Sequence, residues 1–321
     1  MFQYHLRGPD GLNFARRHVE QGVDQAWAVV AKRVFRRRHV ASFDGAPRFA
    51  LLTVNFSTTR YLKLLLLTLG EQHDLGLVHR IVIADNDSRD GGQAFLRALA
   101  ARVDRVEVVE HRRFLNHARG MRGALRALDG VEADLPEAER TNLLLFCDTD
   151  VVFRNPEALV DLAAATVAND AALVGELRKV YEYPDVQASF FVVRRDSYER
   201  SDVAPWMNHG APAYALQRSI WRAGLTVVNF PTNQGGYVLH RGRTGVVAAH
   251  DYVPRHAYAT VATSTPHFMG VPRGAEIWAA IEARYADLLE PRSEPRLLDV
   301  LAERLSKLAS HVPLDDGDGP T

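Results

Sequence analysis

From residue 49 onward, apolar residues come in short runs separated by polar clusters. Phe49 to Asn55, Val78 to Ala84, Val106 to Glu110 and Leu143 to Cys147 are the densest runs. Four to eight residues with little alternation predict strands covered on both faces. The segments between them carry helical signals: leucine-rich Tyr61 to Leu69, then Gly92 to Arg102, then Gly120 to Leu128. This order predicts an α/β fold of parallel strands with right-handed crossovers. Ala133 to Thr141 is a polar connection. Beyond Asp150 the pattern loosens into a helix over Glu157 to Asn169, strands over Ala171 to Gly175 and Ser189 to Arg194, a helix over Tyr214 to Ala223 and a strand over Thr226 to Phe230. Gly235 to Arg243 is Gly-rich with a short strand, and residues 276–308 predict one or two amphipathic helices. The tail from Asp315 to Thr321 is expected to be disordered.

Residues 1–48 follow another pattern. Val19, Val23, Trp27, Val30 and Val34 recur at helical spacing, with Arg16, Arg17, Lys32, Arg33 and Arg36 to Arg38 among or after them. This is a basic amphipathic helix, packed on the main domain or a second subunit, or lying on an anionic membrane. Peripheral membrane contact or dimerisation through residues 14–39 is the expectation. The division is then 1–48 as a helical extension, 49–275 as the main domain (49–155 and 156–275 as its halves) and 276–321 as C-terminal helices and tail. Lys plus Arg and Asp plus Glu balance at 39 each, which gives no reason to expect a nucleic acid partner. One cysteine, Cys147, excludes an internal disulfide. No run of about 18 apolar residues exists. The first residues lack the apolar core of a secretory signal, so a cytoplasmic location, membrane-peripheral at most, is expected.

The chemistry concentrates at Asp148-Thr149-Asp150, directly after the apolar run Leu143 to Cys147. Two carboxylates delivered to the carboxyl end of a buried strand repel each other unless a cation lies between them. Hard oxygen ligands on a divalent metal, shared with a substrate phosphate, are the usual solution. A plainer alternative is a solvated turn leading to the helix start at Asn155-Pro156-Glu157.

Four pieces in order carry a resemblance: a strand ending Val54-Asn55-Phe56, a second ending Asp85-Asn86-Asp87-Ser88, a segment from Asn116 to Gly123 opening a helix, and Asp148-Thr149-Asp150. Together they resemble glycosyltransferases of the family 2 type, with the GT-A fold. The resemblance implies that Val54, Asn55 and the loop after them, with Asp85 and Asp87, hold the base and ribose of a nucleotide-sugar, UDP-linked by expectation. Asn116 and Arg119 would approach the ribose or diphosphate. Asp148 and Asp150 would hold Mn²⁺ or Mg²⁺, with His240 as a third ligand and His250 as its competitor. Arg241, with Arg243, would steady the diphosphate. The acceptor could be a glycan, lipid, peptide or small molecule.

The chain departs from the family where a general base belongs. The expected acidic pair ahead of the helix at 214 is Ala211-Pro212. His209 and Asp202 are the leading substitutes, with Asp185 and Glu182 behind them. A retaining mechanism, or a catalytically impaired sugar-nucleotide binder, stays open. An apolar strand ending Asp-x-Asp also opens haloacid-dehalogenase-type phosphatases, but their later acidic pair would fall in the tail. A nucleotidylyltransferase would need a Gly-rich loop, and residues 50–60 contain no glycine. The segment from Arg241 to Pro266 is either a closing loop or an ordinary surface loop.

Overall fold

In the computed structural model, strand and helix alternate around one large sheet. The structure describes residues 45–113, 116–178, 185–207, 213–252 and 265–309, with the single positions 23 and 26. The basic N-terminal helix, His209, Ala211-Pro212, Tyr181 to Tyr183 and the tail from Asp315 lie outside the described residues. The strands are β1 (Phe49–Asn55), β2 (Val78–Asn86), β3 (Val106–His111), β4 (Leu143–Cys147), β5 (Val151–Phe153), β6 (Leu173–Arg178), β7 (Asp185–Arg194), β8 (Val227–Asn229) and β9 (Val238–His240). Seven of them form a sheet in the order β3-β2-β1-β4-β7-β6-β8, and β5 pairs with β9 in a small second sheet. The β1–β2, β1–β4, β2–β3 and β6–β8 pairs are parallel; β7 runs antiparallel to β4 and β6. The α/β class and the mostly parallel sheet are as expected.

The described helices are α1 (Thr59–Leu69), α2 (Gly92–Ala100), α3 (His117–Val131), α4 (Ala158–Ala168), α5 (Arg195–Glu199), α6 (Tyr214–Arg222), α7 (Thr244–Tyr252), α8 (Gly274–Arg284), α9 (Ala286–Leu289) and α10 (Glu294–Leu305). Alternation along each strand feeds two cores. Phe49, Leu51, Ile81, Ile83, Leu143 and Leu145 pack with the leucines of α1 and with Leu297, Leu298, Leu301 and Leu305 of α10. Ala50, Leu52, Val82, Ala84, Leu144 and Phe146 pack with α3, α6 and Trp206 on the other face. This is why the runs read as unbroken apolar stretches: both faces are covered. Each fully buried leucine contributes about 2 kcal/mol. The C-terminal helices therefore share the core of the main sheet. None of the described helices is long and apolar enough to cross a membrane.

Several elements differ from the pattern-based expectation. α3 begins three residues before Gly120, because Asn116 caps it by accepting from the Arg119 amide at 2.9 Å. Gly120 is needed there for closeness: a Cβ would meet Val54 Cγ1 at 2.8 Å. β7 begins at Asp185 rather than Ser189, because its first half is polar and hides strand character from hydropathy. β5 has three residues and no sequence signature of its own. Part of the presumed loop after Arg241 is the helix α7.

Candidate functional site

The parallel strands deliver their polar ends to one edge of the sheet, and two clusters form there. The first follows β1 and β2. Asn55 Nδ2 lies within 3.1 Å of Thr59 Oγ1, Asp85 Oδ1 and Ser88 Oγ. Asp85 Oδ2 accepts from the Ser88 amide at 3.1 Å and from Gln93 Nε2 at 2.9 Å. Asp85 is fully buried, so its carboxylate holds the turn that follows β2. Ser88 Oγ accepts from the Ser57 amide at 2.8 Å, which joins that turn to the loop after β1. Asp90 accepts from the Thr59 amide, Thr59 Oγ1 and the Gly92 amide, at the starts of α1 and α2. Ser57 and Asp87 adopt left-handed backbone (φ 49° and 61°), a cost of about 1 kcal/mol each that this network holds in place. Asp87 pairs with Arg89 at the surface.

The second cluster follows β4. Asp148, Asp150 and His240 each offer a ligand atom, all within 4.8 Å of one another. His240 Nε2 lies 3.1 Å from Asp150 Oδ1 and 3.7 Å from Asp148 Oδ2. The antiparallel β5–β9 pair makes this possible, since Val151 stands opposite His240. The Arg241 amide donates to the Asp150 carbonyl at 2.9 Å, and the His240 amide to Asn233 Oδ1 at 2.9 Å. Thr244 Oγ1, at the start of α7, donates to Asp150 Oδ2 at 2.9 Å. Thr58 Oγ1 and Thr149 Oγ1 lie 2.9 Å apart and join the two clusters.

Electrostatics separates the two carboxylates. Burial opposes charge on Asp150, but the adjacent His240, its hydrogen bond and that of Thr244 prevail and hold the carboxyl at about 2. Burial raises the Asp148 carboxyl, with His117 and His240 partly offsetting this. The Asp148 side chain is 32% exposed, against 4% for Asp150, so Asp148 is the more accessible of the two carboxylates. Burial lowers the His240 imidazole, yet Asp150 and Asp148 raise it overall. Two carboxylate oxygens and one imidazole nitrogen suit a divalent cation of the Mn²⁺ or Mg²⁺ kind. Cys147 beside them is no nucleophile: burial and the two carboxylates push its thiol well above the ordinary value.

The other expected residues are placed as follows. His250 is exposed and paired with Asp251, away from the cluster, so His240 is the histidine brought to the aspartates. Arg241 lies over the Tyr61 ring at 5.0 Å. Val54 is 7% exposed and lies under α3. Asn116 is occupied as a helix cap, and Arg119 follows it in the first turn of α3. Asp202 stands in an exposed ion pair with Arg200 and is not part of the metal-like cluster. Sequence patterns gave no sign of Thr244, or of His117, whose ring packs on Trp206 at 5.6 Å and whose charge state bears on Asp148. Only the position of His117 beside Asn116, at the start of a helix, could have drawn notice.

No protein-family model matches this chain, and no curated protein matches it. Solved structures show likenesses at low identity. The mannosyltransferase PcManGT from Pyrobaculum calidifontis, in complex with GDP-Man and Mn²⁺, is 14% identical over 94% of this chain and 87% of its own, with a TM-score of 0.46. S. aureus TarS 1-349 in complex with UDP-GlcNAc is 11% identical over 82% of this chain and 90% of its own, with a TM-score of 0.46. The same TarS fragment in complex with UDP is 12% identical over 82% and 89%, with a TM-score of 0.43. At these values, what the site can do follows from the chain's own residues.

Proposed function

We propose that this protein is a metal-dependent glycosyltransferase that moves a sugar from a nucleoside-diphosphate sugar, UDP-linked by preference, to an acceptor. One observation carries the reading: Asp148, Asp150 and His240 converge at the carboxyl edge of the sheet, beside the loops that follow β1 and β2. Ligands of open α/β sheets bind at that edge. Asp150 and His240 would hold the cation from behind and Asp148 from the more accessible side, with Thr244 and Asn233 orienting them. When bound, the cation supplies Lewis-acid neutralisation of the departing diphosphate. Arg241 and Arg243 follow His240 and are the cations proposed for the phosphates. The base and ribose are proposed to lie against the Ser57 and Ser88 loops, with Asp85 acting through the turn it fixes.

The phosphatase alternative would ask for a further carboxylate beside Asp148 and Asp150. The third group at the cluster is an imidazole, which favours metal and diphosphate chemistry. The test is turnover of UDP- and GDP-sugars with Mn²⁺, read as release of the nucleoside diphosphate. Absence of binding by any of these nucleotides, with or without metal, would sink the proposal.

A further inference from the structure

Buried polar atoms in folded proteins have partners, and those that lack one call for an explanation. Among the described residues, three such atoms lie at the adjoining ends of β6 and β7: Arg178 Nε, Asp185 Oδ1 and Gln187 Oε1. Arg178 stands opposite Asp185 in the strand register, and Arg178 Nη2 donates to Asp185 Oδ2 at 3.0 Å. Asp185 and Gln187 are 2% and 6% exposed. Their spacing along β7 puts them on one face. The ion pair therefore accounts for one oxygen of Asp185 and leaves the other three atoms unexplained.

This end of the hairpin is tied to the metal-like cluster from both strands. Gln187 Nε2 donates to Ser189 Oγ at 3.0 Å, and the Ser189 carbonyl accepts from the Asp148 amide at 2.8 Å. On β6, Glu176 accepts from the Asn233 amide, and Asn233 Oδ1 accepts from the His240 amide. The Arg178 charge also acts on His240 and His267. β7 itself changes character here. It is apolar from Phe190 to Val193, and polar at Asp185, Gln187 and Ser189, where it runs past the end of β4.

We infer that Arg178, Asp185 and Gln187 form the subsite for hydroxyl groups of the transferred sugar, an inference that rests on the function proposed above. The chemistry selects the ligand. Asp185 Oδ1 and Gln187 Oε1 only accept, whereas Arg178 Nε only donates. A phosphate offers no proton to the two acceptors and is repelled by the carboxylate. A hydroxyl both donates and accepts, so adjacent sugar hydroxyls satisfy all three atoms. The diphosphate then lies on the side of Asp148, Asp150 and His240, and the sugar ring on the side of β6 and β7.

The experiment is calorimetric titration of the full chain with Mn²⁺ present, using UDP, GDP, UDP-glucose, UDP-N-acetylglucosamine and GDP-mannose. Asp185→Asn and Gln187→Leu are compared with the wild type. The second variant keeps the Arg178–Asp185 pair and so covers a folding failure of the first. The expected result is at least a tenfold loss of affinity for the preferred nucleotide-sugar, with affinities for Mn²⁺ and the bare nucleoside diphosphate within twofold of wild type. The inference is overturned if affinity for nucleotide-sugars follows that for the bare diphosphates in all three proteins, or if both fall together. A wild-type chain that binds neither UDP nor GDP overturns the proposed function instead, and this inference with it.

Discussion

Behind β1 and β2, Asp85 gives both carboxylate oxygens to Asn55, Ser88 and Gln93. Beyond β4, Asp148 and Asp150 share one imidazole, and Asp150 also accepts from the Thr244 hydroxyl. The first cluster is closed: its acceptors and donors answer each other inside the protein. The second is open: the two carboxylates share the single imidazole of His240, and among the described residues three polar atoms on β6 and β7 lack a partner. A closed polar network rigidifies a loop, whereas an open one is completed by what binds. Both stand on the same sheet edge, so position in the fold does not separate scaffold from site. Hydrogen-bond supply does.

The largest break in this comparison is expected from Asp150→Ala. Mn²⁺ binding should be lost and transfer should fall by about 10³-fold, since several kcal/mol of charge stabilisation goes with the ligand. Circular dichroism should report an intact fold. Full activity in this variant would remove Asp150 from the proposed metal site.

Asp85→Ala tests the closed side. It leaves the Ser88 amide and Gln93 Nε2 without their acceptor and removes one of the three acceptors around Asn55 Nδ2, so urea unfolding should show a loss of about 3 kcal/mol. Weakened UDP binding at unchanged stability would reverse the comparison and make Asp85 a ligand contact.

A pH series sharpens the open side. His240 titrates above the ordinary histidine value of 6.5, because Asp150 and Asp148 outweigh burial. Without metal it therefore holds its proton to higher pH than a free imidazole does, and a cation must displace that proton. Mn²⁺ affinity should rise with pH by about tenfold per unit below the His240 pKa, then level off. Stability of the metal-free protein runs the other way. The contribution of protonated His240 is complete below the unfolded value and disappears as pH rises through the folded one. Calorimetry in two buffers of different ionisation enthalpy should show proton release on Mn²⁺ binding, and no release would contradict the assignment.

Thr244→Val should have the smallest effect. Loss of the hydroxyl donor to Asp150 Oδ2 costs about 1 kcal/mol, or roughly fivefold in Mn²⁺ affinity. A much larger loss would mean that α7 itself closes the site.

The sequence alone determined the order of strands and helices from β1 to β4, the burial of the apolar runs and the placement of Asp148 and Asp150 at a strand end. These are local properties: periodicity reports how a segment is covered, and a turn after a buried strand reports where its polar residues emerge. Asn116 was legible as the opening of a helix for the same reason. Only the tertiary structure decided between His240 and His250, because that choice depends on β5 pairing with β9, and the two strands lie far apart in the chain. It also decided that Asp85 is satisfied internally while, among the described residues, one oxygen each of Asp185 and Gln187 is not. Hydropathy cannot tell a polar residue that closes a network from one that awaits a partner, because the difference lies in atoms contributed by other strands.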